Sequence, residues 1–190
     1  MPQIKITYFD FHGGRAEPAR IALHMGGIEF DDHRISFEEF TAQRDSYPCR
    51  CVPVADIDGH QVAQSNAINR YVGKLTGLYP DDPVQAMFCD EAMEANEDIL
   101  FHVVKTFGLE GEALKTARQE LTAGWLTTYL KGIERMLQRG GDYFADGRLT
   151  VADLKIFVWV RSLTAGTLDH VPADLVSDIA PALVAHQDRV

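Results

Sequence analysis

A turn-rich stretch, GLYPDDP at residues 77–83, divides the chain into two parts with different hydrophobic patterns. The part before it contains short runs that alternate between apolar and polar residues, as strands do, together with segments of helical spacing. The part after it has apolar residues at intervals of three and four almost throughout, which is typical of helices. We therefore predict an α+β chain of two domains, with a mixed α/β domain at residues 1–80 and an all-α domain at residues 81–190.

In the first domain the predicted order is strand, helix, strand, loop, and then a hairpin followed by a helix. QIKITYF alternates as a strand does, GGRAEPARIALHMGG has helical spacing with glycines beyond its end, and EFDDHRI is a second short strand. VADI and HQVA are joined by Asp58-Gly59, which suits the tight turn of a hairpin. The following helix is expected to start with Ser65 near its N-cap, because serine is favoured there.

In the second domain, long amphipathic patterns cover residues 83–107 and 112–138. The apolar residues that mark them are Met87, Met93, Leu100 and Phe101 in the first pattern, and Leu121, Trp125, Leu126, Tyr129, Leu130, Ile133 and Leu137 in the second. Another helix starts at LTVADLKIFVWV, where Thr150 and Asp153 have the spacing of a capping box. Its apolar stripe predicts the buried centre of a helical bundle, and consists of Leu154, Phe157, Val158 and Val160.

Charge and composition exclude several classes of partner. A formal net charge of -10 argues against nucleic acid. No apolar run reaches membrane-spanning length, and the start MPQIKITYFDF lacks the basic and apolar regions of a signal peptide. Cys49, Cys51 and Cys89 are odd in number and form no CxxC pair, which favours reduced thiols and a cytoplasmic location. The histidines show no metal-ligand spacing, so we expect no metal requirement.

The stretch RCVPVADIDGHQVAQSNAINRYV, residues 50–72, has two features of a ligand site. If the Val52-Pro53 bond is cis, the backbone before it is left available to pair with an extended peptide. Gln64 and Ser65 stand at a helix start, where unpaired N–H groups favour a carboxylate. Together these features predict recognition of a small acidic peptide. The alternative is a trans proline and a plain N-cap, since only about one X-Pro bond in twenty is cis in folded proteins.

Four motifs, YFDFHGGRAEPAR, VPVADIDG, AQSNAINRYV and RLTVADL, resemble those of the cytosolic glutathione S-transferases. The resemblance covers nearly the whole chain and is greatest to the sigma class, which includes glutathione-dependent prostaglandin D synthases. It implies a thioredoxin-like N-terminal domain, with a mixed four-stranded sheet and helices, followed by an all-α helical-bundle domain. It also implies assembly as a homodimer, with glutathione as co-substrate.

The resemblance implies that Tyr8 donates a hydrogen bond to the glutathione sulfur and favours the thiolate, with Arg15 assisting. A free thiol has a pKa of ~8.5, so little of it is ionised near neutral pH without such help. The turn FHGGR is one residue longer than the commoner form, which places Arg15 differently. From the residues alone, the alternatives are a tyrosine that packs in the core and a solvated arginine at a helix start.

The resemblance also implies the glutathione contacts. Gln64 and Ser65 would hold the γ-glutamyl carboxylate, and the backbone of Val52, before Pro53, would pair with the cysteinyl portion. Arg44 would meet the glycine carboxylate. Phe40 stands where a tryptophan is commoner and would form an apolar wall. Cys51 would contact glutathione through its main chain. Asp98 would reach the ligand bound to the partner subunit. Asp98 belongs to an acidic stripe, residues 90–98, whose other interpretation is a solvated helix face.

A hydrophobic electrophile would lie against Phe9, Phe11 and Phe107, because aromatic side chains form apolar pockets. The leading hypothesis is conjugation of the glutathione thiolate to such electrophiles, a detoxification activity. One alternative is a glutathione-dependent isomerase of lipid peroxides. Another is a non-catalytic ligand-binding or structural protein on the same fold.

Overall fold

The computed structural model describes residues 1–190. The chain separates into two compact units, Met1–Tyr79 and Pro80–Val190. The first contains a sheet and helices and the second contains helices alone, which confirms the predicted fold class.

The first unit is built around a four-stranded mixed sheet in the order β2-β1-β3-β4. The central strand β1 pairs in parallel with β2 and antiparallel with β3, and β4 completes the hairpin with β3. The strands are β1 (Ile4–Phe9), β2 (Asp31–Ile35), β3 (Val54–Ile57) and β4 (His60–Ala63), and the helices are α1 (Glu17–Met25), α2 (Phe37–Gln43) and α3 (Ser65–Thr76). The hairpin turn is as predicted: Asp58 and Gly59 have φ values of 51° and 84°, as a tight left-handed turn requires.

One segment of the first unit differs from the sequence prediction. The segment between β2 and β3 was expected to be a loop, but it contains α2, whose capping box joins Ser36 and Glu39 through reciprocal hydrogen bonds. Two short 3₁₀ turns, Arg44–Ser46 and Pro48–Arg50, follow α2. Ser65 lies near the N-cap of α3, as expected: the cap itself is Gln64, with φ at 77°, and Ser65 is the first helical residue.

The second unit contains six α-helices. They are α4 (Pro83–Val104), α5 (Gly111–Leu121), α6 (Thr127–Gly140), α7 (Val151–Thr164), α8 (Leu175–Ile179) and α9 (Pro181–Arg189). The single helix expected at 112–138 is interrupted by a π-helical stretch, Thr122–Leu126. None of the helices in the structure is long and apolar enough to cross a bilayer.

Several apolar residues of the predicted amphipathic patterns lie outside the core. Met87 and Phe101 are exposed because the buried stripe of α4 follows Cys89, Met93 and Ile99 along another side of the helix. Trp125 is also exposed, because the π-helical stretch changes the angular spacing of side chains there. The stripe on α7 is only partly as expected: Leu154 and Val160 are buried, whereas Phe157 and Val158 are half-buried.

The predicted capping box at α7 is confirmed and extends further than the pattern indicated. Asp153 is completely buried, and its Oδ2 accepts hydrogen bonds of 2.7 Å from both the backbone N–H and the hydroxyl of Thr150. Its Oδ1 accepts the Phe144 N–H at 3.1 Å and lies 2.9 Å from Nε2 of the buried His186. One carboxylate therefore joins the start of α7, the preceding loop and α9.

Candidate functional site

The register of the sheet brings three predicted parts of the site to one edge of the first unit. Thr7 on β1 pairs with Val54 on β3, and Val54 pairs with Ala63 on β4. Tyr8 directly follows Thr7, Pro53 directly precedes Val54 and Gln64 directly follows Ala63, so all three lie at this edge of the sheet. Strand pairing thus brings residues distant in sequence to the same edge.

Tyr8 is nearly buried next to the end of β1, and its Oη accepts a hydrogen bond of 3.2 Å from the backbone N–H of Arg15. The turn FHGGR makes this contact possible, because Gly13 and Gly14 both adopt positive φ, at 100° and 69°. An oxygen that accepts this bond keeps its own hydrogen as a donor. The sequence prediction drew attention to the side chain of Arg15, and the structure shows in addition a contact of its backbone N–H with the phenol.

The close approach of the turn to Tyr8 makes Gly14 a sensitive position. A Cβ on Gly14 would lie 2.8 Å from Tyr8 Oη and 2.9 Å from the Phe11 ring, whereas a Cβ on Gly13 would meet nothing within 4 Å. Both substitutions to alanine carry the strain of a positive φ, about 1–2 kcal/mol. We expect Gly14→Ala also to displace the phenol and to lower turnover, and Gly13→Ala to change stability alone. Steady-state kinetics and thermal unfolding of the two variants distinguish these effects, and equal turnover would contradict the assignment.

A buried arginine, Arg20, lies over the Tyr8 ring. The guanidinium carbon of Arg20 is 5.8 Å from the ring centroid, and Arg20 is only 5% exposed. Its Nε donates to Asp32 at 2.8 Å, and its Nη1 donates to the Phe11 carbonyl at 3.4 Å. Arg20 thus connects α1, β2 and the start of the turn beneath the phenol. This role of Arg20 was not predicted, although an arginine on the apolar side of α1 could have indicated it.

Aromatic rings form a partly exposed cluster next to Tyr8. Phe9 stacks on Phe37 with 4.3 Å between ring centroids and on Phe11 with 6.2 Å, and Phe40 meets Phe9 edge-on at 5.3 Å. The structure therefore brings together the predicted residues Phe9, Phe11 and Phe40. Phe37 was missed because α2 was not predicted, although the Ser36–Glu39 spacing is the capping-box signal that could have indicated it.

The segment before β3 carries the predicted peptide-pairing position. The Val52-Pro53 bond is cis, as expected, and both residues are buried. Arg44 lies over the Phe40 ring at 5.7 Å. Cys51 is half-buried; burial and the neighbouring Cys49 raise the pKa of its thiol, while the positive charges of Arg15 and Arg44 act in the opposite direction.

Gln64 and Ser65 lie at the junction of β4 and α3. Gln64 is exposed and Ser65 is buried at the first position of a helix of 12 residues. The first turn of α3 contains no acidic residue, so its N-terminal N–H groups and helix dipole remain suited to an anion.

Asp98 and Phe107 belong to the second unit. Asp98 is exposed, and its Oδ2 accepts a hydrogen bond of 3.0 Å from Tyr129 Oη, which raises the pKa of that phenol. Phe107 is exposed with the guanidinium of the buried Arg118 at 5.7 Å from its ring. Neither unit contains a group of three or more His, Cys, Asp or Glu residues placed to hold a metal ion.

A wide cleft of about 970 Å³ also occurs in the first unit, lined by Met1–Lys5 and Gly27–Asp31. It lies where β1 begins, whereas Tyr8 lies where β1 ends, and none of the predicted site residues lines it. We therefore place the candidate site at the Tyr8 edge.

The mixed sheet in the order β2-β1-β3-β4, its helices and the helical unit that follows define the class as thioredoxin-like proteins with an appended helical domain. Models of the glutathione S-transferase N-terminal and C-terminal domains match residues 4–74 and 97–190. The chain is 33% identical to glutathione S-transferase 3 of Caenorhabditis elegans over 162 residues, which are 82% of this chain and 78% of that protein. It belongs to the glutathione S-transferase family.

Two further similarities concern a particular branch of the family. The chain is 31% identical to hematopoietic prostaglandin D synthase of Gallus gallus, across 100% of this chain and 91% of that protein. The solved structure of prostaglandin synthase D of Nilaparvata lugens superposes with a TM-score of 0.85 at 28% identity, covering 99% of this chain and 92% of the other. The expected resemblance and the expected enzyme class, a glutathione S-transferase, are confirmed.

Proposed function

We propose that the chain conjugates the thiolate of glutathione to hydrophobic electrophiles, as a cytoplasmic, homodimeric sigma-class enzyme of detoxification. The observation that carries this proposal is the edge of the sheet at which Tyr8, Pro53 and Gln64 all lie. It combines a phenol, an available backbone segment and a helix N-terminus, which are suited to a thiol, a peptide and a carboxylate respectively.

The thiolate is the reactive species, and Tyr8 would stabilise it. The Arg15 N–H already donates to Tyr8 Oη, so the phenol would direct its own hydrogen to the sulfur. Lowering the thiol pKa by about two units corresponds to ~2.7 kcal/mol, and a donor in a partly buried site can supply much of that.

The remaining contacts follow the shape of the peptide. The Val52 backbone would pair with the cysteinyl portion, Arg44 would meet the glycine carboxylate, and Cys51 would contribute its main chain. Phe40 would form an apolar wall beside Arg44, and Asp98 would reach the ligand bound to the partner subunit. An electrophile would pack against the aromatic cluster at Phe9 and Phe11, and Phe107 remains a further hydrophobic contact expected from the sequence alone.

Turnover of glutathione with an aryl halide tests the proposal directly. Saturable conjugation above the solution rate is the expected result, and its absence in a folded dimer would favour the non-catalytic alternative. Sedimentation at micromolar concentration tests the dimer: twice the chain mass is expected, and a fully active monomer would contradict the cross-subunit role of Asp98.

Ser65→Ala is expected to weaken glutathione binding by about 1–3 kcal/mol, because the hydroxyl would donate to a carboxylate. Titration calorimetry measures this change. Ser177→Ala is a suitable control, since Ser177 lies on α8 and its hydroxyl donates only to the local Asp174 carbonyl, at 2.7 Å. An unchanged affinity in Ser65→Ala would remove this residue from the proposed site.

The second candidate is isomerisation of a lipid peroxide by the same thiolate. The similarity to hematopoietic prostaglandin D synthase over the whole chain favours it. Incubation with a prostaglandin endoperoxide and glutathione separates the two reactions, because the isomerase releases glutathione unchanged whereas conjugation consumes it.

A further inference from the structure

Two of the three cysteines lie two residues apart in the sequence PCRCVP, at positions 49 and 51. All three are free thiols. Cys89 is completely buried in the helical unit, and burial raises its pKa to about 11, so it is protected from oxidants. Accessible thiol chemistry is therefore confined to the pair beside the candidate site.

The turn that carries this pair brings the two cysteines close together along the chain. Cys49 and Arg50 both have positive φ, 56° and 54°, in the left-handed helical region. An extended chain separates residues two apart by about 7 Å, and a helical turn shortens that distance into the range of roughly 4.4–6.8 Å found between the Cα atoms of disulfides. The electrostatic influence of Cys49 on the Cys51 thiol agrees with this proximity.

The pair is chemically unequal. Cys49 is exposed and open to an oxidant, whereas Cys51 is half-buried with its Sγ 3.8 Å from the Pro48 carbonyl. Burial and the neighbouring Cys49 raise the pKa of the Cys51 thiol, and the positive charges of Arg15 and Arg44 offset only part of that rise. In such a pair the exposed thiol reacts first and becomes a sulfenic acid. The shielded neighbour then attacks that sulfur, and a disulfide forms.

The same turn is connected to the proposed glutathione contacts. Arg44 Nε donates to the Arg50 carbonyl at 3.3 Å, and Cys51 directly precedes the cis Val52-Pro53 bond. A covalent bond between Cys49 and Cys51 would rearrange this turn, and would therefore displace Arg44 and the Val52 backbone.

We propose that Cys49 and Cys51 form a reversible disulfide on reaction with a hydroperoxide, and that this disulfide lowers the affinity for glutathione. The Cys49 thiolate attacks the peroxide O–O bond, giving a sulfenic acid and releasing an alcohol, or water from hydrogen peroxide. The Cys51 thiol then attacks the sulfenic sulfur, the S–S bond forms and water leaves. Two thiols lose two electrons and two protons in total, and two molecules of glutathione restore them as glutathione disulfide.

Mild treatment of the purified chain with hydrogen peroxide tests the covalent step without any assay of glutathione. Intact mass is expected to fall by two hydrogen atoms, and peptide mapping is expected to find the bond between residues 49 and 51, reversed by dithiothreitol. Cys51→Ser should instead gain oxygen at Cys49. A mass gain in the wild-type chain, or a disulfide between two chains, would overturn the proposal.

The effect on binding rests on the proposed function and is measured separately. Calorimetry with S-methylglutathione, whose blocked sulfur cannot reduce the disulfide, should show an affinity at least about tenfold weaker after oxidation, the loss of roughly one hydrogen bond to a charged ligand. Cys49→Ser should retain the reduced chain's turnover and resist peroxide. An oxidised chain with full affinity would overturn the switch, whereas failure of the reduced chain to bind glutathione would overturn the proposed function and leave the mapped disulfide standing.

Discussion

Tyr8→Phe is expected to lower kcat for conjugation by about a hundredfold at neutral pH, because one oriented donor to a developing thiolate is worth 10²–10³ in rate. The ring contacts with Phe9, Phe11 and Arg20 would remain, so the fold should be unaffected. The variant's bound thiol would ionise nearer its ordinary pKa of ~8.5. The kcat of Tyr8→Phe should therefore rise as the pH passes through ~8.5, whereas the kcat of the unaltered chain should no longer change with pH in that range.

Stopped-flow absorbance of the bound thiolate, recorded as a function of pH, measures the ionisation directly. Tyr71→Phe is a suitable control, since Tyr71 is half-buried on α3 and lies outside the candidate site. If Tyr8→Phe keeps the wild-type rate and the wild-type thiol ionisation, Tyr8 is not the thiolate partner. The Arg15 side chain would then become the candidate.

Asp153→Ala is expected to lower the free energy of unfolding by about 3–5 kcal/mol, which makes it the largest stability effect we predict. The substitution leaves the Thr150 N–H, the Phe144 N–H and the His186 ring without their acceptor in a fully buried position. Unpaired buried donors retain their full desolvation cost. Thermal unfolding should shift downwards by roughly 10 °C.

The control is Asp142→Ala, which removes a carboxylate of the same size from the surface. Asp142 is 74% exposed in its ion pair with Arg189, and exposed pairs contribute little. Its unfolding midpoint should match that of the unaltered chain. If Asp153→Ala unfolds at the same temperature as this control, the buried network is not what holds α7 and α9 together.

Local sequence patterns determined much of the domain division and of the secondary structure of this protein. The division near residue 80, the Asp58-Gly59 hairpin and the Thr150–Asp153 capping box could each be predicted, because each depends on a few adjacent residues. The family motifs indicated the Tyr8 and Gln64–Ser65 positions for a similar reason, since the relevant residues are contiguous. The helix α2 was missed although its capping box is equally local, so that error was one of interpretation.

Only the tertiary structure decided how these parts meet. The pairing of β1 with β3 and of β3 with β4 brings Tyr8, Pro53 and Gln64 to one edge of the sheet, and strand register depends on contacts between distant segments. The backbone N–H of Arg15 reaches the phenol because two glycines adopt positive φ, a conformation that glycine permits but does not require. Composition and periodicity record which side chains prefer burial, whereas the direction of a single N–H group follows from the path of the whole turn.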